Sequence, residues 1–251
     1  MKGALVTGAG MRIGRAFAMA LASDGFFVFV HHHRSAAAAR ETVAAIAAAG
    51  GKAKAVKADL SSAKQAEALV GRCQARGVRL TCLVNSASLF ELDRAPMATA
   101  AGFDRHMAVN LRAPLLLSQA LARQLPDRET GLIVNVLDQK LFNLNPDFLS
   151  YTLSKIGLRG LTSLLAQSFA PRLRVAGIAP GLTLRSGSQT DARFAEQHRQ
   201  NPLGVGVTTE DLVRALRFVV ATPSYTGDVL IVDSGEHLTG RPRDIAFHQK
   251  K

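Results

Sequence analysis

The sequence predicts one α/β domain, a doubly wound parallel sheet of about seven strands with helices on both faces. Three observations predict it. Short apolar runs alternate with longer amphipathic stretches along all 251 residues, the pattern of successive βαβ units. A glycine-rich turn follows the first run directly, at the junction where a strand passes into a helix. No internal repeat or linker divides residues 1–251, so right-handed crossovers wind the chain into one sheet covered on both faces. In such sheets ligands settle at the carboxyl ends of the strands, near the point where strand order reverses.

The first strand, ALVT (4–7), runs into TGAGMRIGR, whose Gly8, Gly10 and Gly14 precede a helix over Arg15–Ala22. Glycines there permit a tight turn and let backbone N–H groups approach a pyrophosphate at the helix N-terminus. A tight strand–helix turn alone would use them too. The second strand, FFVFV (26–30), ends in HHHRS, His31 to Ser35. An NAD site usually carries an acid at that point for the ribose 2′-hydroxyl. Here the imidazoles of His32 and His33, the guanidinium of Arg34 and the hydroxyl of Ser35 suit a 2′-phosphate, which favours NADP. Adjacent strand histidines point to opposite faces, so the triplet is a poor chelate and no metal is expected.

The segment 36–49, AAAARETVAAIAAA, is low in complexity but helical in period, and Gly50–Gly51 form its stop. The third strand, KAVKA (54–58), delivers Asp59, which meets either an adenine edge or the backbone of the next helix as a cap within DLSS (59–62). QAEALVGRC (65–73) is that helix. The runs LTCLVN (80–85), GLIVNV (131–136), LRVAGI (173–178) and VLIV (229–232) complete the sheet.

Composition narrows the class. A hydrophobic share of 47% and a mean hydropathy of +0.11 describe a globule with an ample core, and a chain this long buries roughly 70–75% of its unfolded surface. Cys73 and Cys82 are too few for a disulfide framework and read as buried reduced thiols. The start, MKGALVTGAG, meets glycine too early for a signal segment, and no apolar run of about eighteen occurs, so a cytoplasmic protein away from membranes is expected. The formal charge of +12 attracts polyanions, yet the cations are dispersed and aromatics are 6% with no Trp. No stacking platform is evident, and a small anionic ligand would be served by the same field. Charge alone does not choose between the two; taken with the chain's motifs, no nucleic acid is expected.

The stretch NVLDQKLFNLNPDFLSYTLSK (135–155) carries the chemistry. Tyr151 and Lys155 share a helix face at i, i+4, a spacing also found in ordinary surface pairs. As a working pair, the Lys155 ammonium would favour tyrosinate, drawing the phenol pKa down, and would hold a nicotinamide ribose. Asp138 stands thirteen residues before the tyrosine, where a neutral hydroxyl is the usual companion; it is otherwise a plain loop acid.

TGAGMRIG, NSAS (85–88), the helix residue Asn110, YTLSK (151–155) and PGLT (180–183), in that order, resemble the short-chain dehydrogenase/reductase family over nearly the whole chain. The resemblance implies a Rossmann-type domain with NADP held by Gly8, Gly10, Arg12, Ile13, Gly14, His32, His33, Arg34, Ser35, Asp59, Leu60, Asn85, Ser86, Ala87, Tyr151, Lys155, Pro180 and Gly181. It implies Asp138, Tyr151, Lys155 and Asn110 as the catalytic group, with Asn110 holding a helix carbonyl and a water leading to Lys155. A homotetramer is implied as well. Three departures share a direction: Arg12 replaces a common glycine, Ser86 the second asparagine of NNAG, and Asp138 the usual serine. With HHHRS and Phe90 they are similar to the pteridine reductases and the bacterial dihydromonapterin reductases. That likeness implies a pterin contacted by Arg12, Ser88, Phe90, Asp138 and Tyr151, with Phe90 stacked on the ring; the alternative for Phe90 is a core aromatic under the loop.

The carboxyl group then has a chemical reason. Ketone reduction builds negative charge on oxygen, which a hydroxyl stabilises and an ionised carboxylate repels. Hydride addition to a pterin C=N bond instead requires a proton at ring nitrogen, which a carboxyl sharing a proton with Tyr151 can supply. A carboxylate also accepts hydrogen bonds from ring N–H and amino groups that simple ketones lack. The expectation is an NADPH-dependent reductase of a pterin or dihydrofolate. Its rivals are a ketone or 3-ketoacyl thioester reductase and a non-catalytic dinucleotide sensor or nucleic-acid binder. Residues 182–207, rich in Gly, Ser and Arg, suit a substrate lid, and 239–251 a tail that is disordered or an arm to a neighbouring subunit.

Overall fold

Successive side chains of a strand point to opposite faces, so a strand buried on both sides must be apolar at nearly every position. β1 (Lys2–Val6) and β2 (Phe27–His32) do this, burying Ala4, Val6, Val28 and Val30 on one face and Leu5 and Phe29 on the other. The computed structural model describes residues 1–185 and 189–247. Its further strands are β3 (Lys52–Lys57), β4 (Arg79–Asn85), β5 (Gly131–Val136), β6 (Leu173–Pro180) and β7 (Val229–Val232), all parallel in the order β3-β2-β1-β4-β5-β6-β7.

The helices are α1 (Arg12–Ser23), α2 (Ala36–Ala48), α3 (Ala63–Arg72), α4 (Ala100–Met107), α5 (Ala113–Gln124), α6 (Leu149–Phe169), α7 (Asp191–Gln197) and α8 (Thr209–Ala221). Phe17 and Leu21 of α1, Ile46 of α2 and Leu212 and Leu216 of α8 cover one face of the sheet. Leu69 of α3, Leu117 and Leu121 of α5 and Leu165 of α6 cover the other. Each such side chain, fully buried, contributes about 1.5–3 kcal/mol. Order reverses between β1 and β4, whose ends pair at Val6 and Val84, so the loops leaving them diverge and open a crevice. Among the described residues no helix is long and apolar enough to cross a membrane.

The expected strands all form, β5 and β7 with the expected bounds and the others with ends displaced by at most two residues. α1 begins at Arg12 rather than Arg15, because Gly14 does not turn the chain. It lies within the first helical turn, where a Cβ would sit 2.5 Å from the Gly8 carbonyl oxygen. Arg12 itself has φ of +56°, the left-handed region that glycine enters freely and other residues enter at about 1–2 kcal/mol. α2 ends where expected, with Gly50 at φ of +80°. A buried polar contact crosses the sheet: Asn85 Nδ2 donates to Asn135 Oδ1 at 2.8 Å, and Asn135 Nδ2 donates to Thr162 Oγ1 of α6 at 2.9 Å.

Residues 239–247, expected as a disordered tail or an arm to a neighbouring subunit, fold back on their own chain and end in a 3-10 turn, Ile245–Phe247. Arg243 is drawn in by the buried carboxylate of Asp147. Residues 248–251 of that tail and 186–188 of the expected lid lie outside the described residues. The rest of the 182–207 segment includes α7.

Candidate active site

A cavity of about 1450 Å³ opens where the carboxyl ends of the strands meet the diverging loops. At one end it is lined by Gly8, Gly10, Arg12, Ile13, Gly14, His32, His33, Arg34, Ser35, Asp59 and Leu60. Ser86, Ala87, Ser88, Phe90, Asp138, Tyr151, Lys155, Pro180 and Gly181 carry the wall to the other end. Sequence reasoning therefore collects nearly all its candidates around one space. Asn85 and Asn110 do not line it.

At the glycine turn, His31 is the organiser. Its Nδ1 accepts from the Gly8 N–H at 3.1 Å, and its Nε2 lies 3.1 Å from the Ala58 carbonyl, to which it donates. Burial pushes its pKa down to about 4, so the ring is neutral and ties the turn to the end of β3. Asp59 lines the cavity, and its Oδ1 accepts from the Ser61 N–H and hydroxyl ahead of α3, so it is not itself the cap of that helix. Ser62 caps that helix through the Gln65 N–H. His33 Nε2 lies 3.7 Å from Asp59 Oδ2.

At the other end, the Tyr151 hydroxyl donates to Asp138 Oδ2 at 2.6 Å, while Asp138 Oδ1 accepts the Lys140 N–H at 2.8 Å. Burial raises the Asp138 pKa above the usual carboxylate range. Burial and the neighbouring Asp138 raise that of Tyr151 well above its ordinary value. The expected tyrosinate is not favoured: the Lys155 ammonium donates to the Val136 carbonyl at 2.7 Å, and burial first, then Asp138, keeps the proton on the phenol. Burial lowers the Lys155 pKa to about 8.

Asn110 sits in a π-helical turn, Ala108–Arg112, between α4 and α5. Its Oδ1 accepts the Leu89 N–H at 2.7 Å, and its Nδ2 donates to the Leu89 carbonyl at 2.9 Å and to Ser154 Oγ at 3.0 Å. Both amide hydrogens are thus committed to the loop after β4 and to α6. Asn85 is likewise committed to Asn135, because its place on β4 turns it into the sheet interior. Phe90 is not a core aromatic. It is 44% exposed, stacks on Phe148 at 4.2 Å between centroids, and meets Tyr151 edge-on at 4.7 Å.

Sequence reasoning misses Lys140, Asp147, Phe148 and the segment Arg243–Phe247. The local signal is slight, opposite charges in RPRD (241–244) near an aromatic, and Phe148, at a left-handed φ of +57° as the N-cap of α6, has none.

A dinucleotide fits this wall. A Cβ at Gly8 would lie 2.9 Å from Ala87 Cα, so only a bare backbone leaves the turn its present closeness to the loop after β4. His32 Nδ1 and Gln139 Oε1 are buried without partners among the described residues, and both residues line the cavity. Cationic and hydroxylic donors stand at the His33–Ser35 end.

The model of the short chain dehydrogenase family matches residues 2–197. FolM alternative dihydrofolate reductase 1 from Brucella canis, solved in complex with NADP, superposes with a TM-score of 0.90 at 40% identity, over 94% of this chain and 94% of that one. An uncharacterized oxidoreductase of Methylorubrum extorquens is 35% identical over 93% of this chain and 97% of its own length. A 3-oxoacyl-[acyl-carrier-protein] reductase of Synechocystis sp. is 30% identical over 92% and 95%.

Proposed function

This chain belongs to the short-chain dehydrogenase family, and from that membership we propose that it is an NADPH-dependent reductase of a pterin or dihydrofolate C=N bond. The observation that carries the reading is the 2.6 Å bond between the Tyr151 hydroxyl and a buried carboxyl group, Asp138. An oxidoreductase of this family with an NADP-bound neighbour at 40% identity is the frame; the carboxyl group is what favours a nitrogen acceptor.

NADPH, when bound, supplies the hydride. The backbone of Gly8, Gly10, Ile13 and Gly14 would hold its pyrophosphate, and His32, His33, Arg34 and Ser35 its 2′-phosphate. Asp59 and Leu60 would bound the adenine, Ser86 and Ala87 the middle of the molecule, and Pro180 with Gly181 the nicotinamide. The Lys155 ammonium would hold a ribose hydroxyl. Phe90 offers its exposed face to a flat ring, with Ser88 and Arg12 at its edge. Asp138 and Tyr151 hold a proton between them at the site where ring nitrogen must acquire one. Burial disfavours the ionised forms of both, which favours holding that proton on the pair until negative charge develops on nitrogen. A carboxyl held there is also an acceptor for the amino and N–H groups of a pterin. Exposed Leu153, Ile156 and Leu164 on α6 support contact between subunits of a homotetramer.

Reduction of ketones or ketoacyl thioesters is the second reading, favoured by the Synechocystis relative. The test is turnover of dihydropterins, dihydrofolate, ketones and a 3-ketoacyl thioester with NADPH. Pterin or dihydrofolate reduction well above the ketone rate is expected. Ketone turnover with no pterin turnover would establish the second reading instead.

A further inference from the structure

We infer that residues Arg243–Phe247 form the specificity-determining wall of the substrate compartment, with Phe247 as the residue that bears on bound substrate. The inference deepens the pterin reading and rests on it for the choice of ligand. Asp244, Ile245, Ala246 and Phe247 all line the cavity, although they lie about a hundred residues beyond its other aromatic wall.

The segment is fastened from three sides. Asp147 is fully buried, and its carboxylate takes Arg243 Nε at 2.8 Å, Arg243 Nη2 at 3.0 Å, the Asp244 N–H at 3.0 Å and Arg94 Nε at 2.6 Å. Those donors outweigh burial and hold its pKa at about 2. Lys140, 3% exposed, donates from Nζ to Asp244 Oδ2 at 3.0 Å and to Asn145. From α7, Arg193 Nη2 donates to the Ala246 carbonyl and Gln197 Nε2 to the Ile245 carbonyl, each at 2.6 Å. A buried acid whose donors come largely from one segment is left unsatisfied if that segment departs, so the wall is a fixed part of the fold.

The fastening reaches the reacting groups. Lys140 holds Asp244 through its side chain and Asp138 through its N–H. Asp147 precedes Phe148, whose left-handed turn starts the helix that carries Tyr151. The rings continue one row: Tyr151 meets Phe90, Phe90 stacks on Phe148, and Phe148 faces Phe247 with centroids 6.0 Å apart. The guanidinium groups of Arg94 and Arg243 lie 5.1 and 5.4 Å from the Phe247 centroid, so the ring is held on its own side as well. Such a wall accepts a planar bicyclic heterocycle lying along the row and stops wider fused rings.

The test uses the full chain with Phe247→Ala, Phe247→Leu and Arg243→Gln. KM for a dihydropterin should rise about tenfold in Phe247→Ala with kcat within about threefold, since a ring contact is lost and the proton pair remains. NADPH affinity, read by fluorescence titration, should be unchanged. Tricyclic ketones excluded by the wild type should become substrates, and Arg243→Gln should speed hydrogen exchange at Ala246 and Phe247. Phe247→Leu keeps the bulk and should fall between wild type and Ala, which decides the matter if the Ala variant fails to fold. Wild-type KM for every substrate in all three variants would overturn the inference, as would a fall in kcat at unchanged KM. If the wild type reduces ketones and no pterin, the pterin reading fails separately, and the KM ratio on those ketones decides the wall.

Discussion

Replacing Asp138 by Asn removes one atom's charge and leaves the shape. The amide oxygen must face the Lys140 N–H, because that donor accepts no alternative, so the 2.8 Å bond survives. The amide nitrogen then faces Tyr151, and the 2.6 Å bond can persist only if the phenol reverses and becomes the acceptor. A bond to a charged or proton-sharing group contributes about 1.5–3 kcal/mol, and its loss is roughly 10- to 100-fold in rate. Withdrawing a positioned acid removes about 10²–10⁴-fold on its own. The two overlap, since the same proton is involved, so we expect kcat/KM for a dihydropterin to fall about 10²- to 10⁴-fold. Thermal stability should change little, because the backbone bond is kept. Asp138→Ser, which restores a neutral hydroxyl beside Tyr151, should lose pterin reduction and gain slow ketone reduction. The assay is kcat/KM for dihydropterin, dihydrofolate and a ketone across wild type and both variants, with NADPH affinity as control. Undiminished pterin reduction in both would refute the reasoning and leave Asp138 a tolerated loop acid.

Arg34→Ala should weaken NADPH about 10- to 100-fold and NADH little, by titration of each cofactor; equal weakening would remove Arg34 from the 2′-phosphate. Tyr151→Phe should leave NADPH binding intact and lower turnover by about 10²-fold or more, whereas Lys155→Ala should damage both. Stability should carry the signature of His31, whose pKa falls from 6.5 to about 4 on folding. The native ring binds fewer protons than the unfolded one, so this contribution, about 3 kcal/mol, is present above pH 6.5 and lost as pH falls toward 4. Glu236, raised by burial from 4.5 to about 7, acts in the opposite sense across an overlapping range. The comparison is therefore denaturant unfolding of wild type against His31→Gln, which keeps an acceptor and a donor without titrating. Parallel pH curves for the two would show that His31 does not set the slope.

What was legible in the sequence was what is local. Strands between helical layers announce themselves by composition, and a Tyr–Lys pair four residues apart must share a helix face whatever surrounds it. Burial was not local. Asn85 stands at the end of β4 beside NSAS, yet the direction of its side chain depends on the strand's two faces and on β5 across from it. Asn110 depended on a π-helical turn that no spacing rule reports. Spacing points to Lys155 as the partner of Tyr151, while what governs the phenol is its burial and the touching carboxyl of Asp138, thirteen residues back. Arg243 and Asp147 are separated by 96 residues, and neither carries a local pattern that names the other.

The contact from Asn85 through Asn135 to Thr162 has a bearing on all of this that distance conceals. Thr162 lies eleven residues beyond Tyr151, three turns of helix plus about 20°, and roughly 16 Å along the axis. Lys155 lies seven residues before it, two turns less about 20°. The hydroxyl that fastens α6 to the sheet is thus on the same side of the cylinder as the phenol and the ammonium. A helix packed by leucines alone can roll, since apolar contact has no preferred azimuth. The directed bond at Thr162 does, and it works as an angular stop. A slip of one residue about the axis would swing the phenol by about 100° and carry it off Asp138.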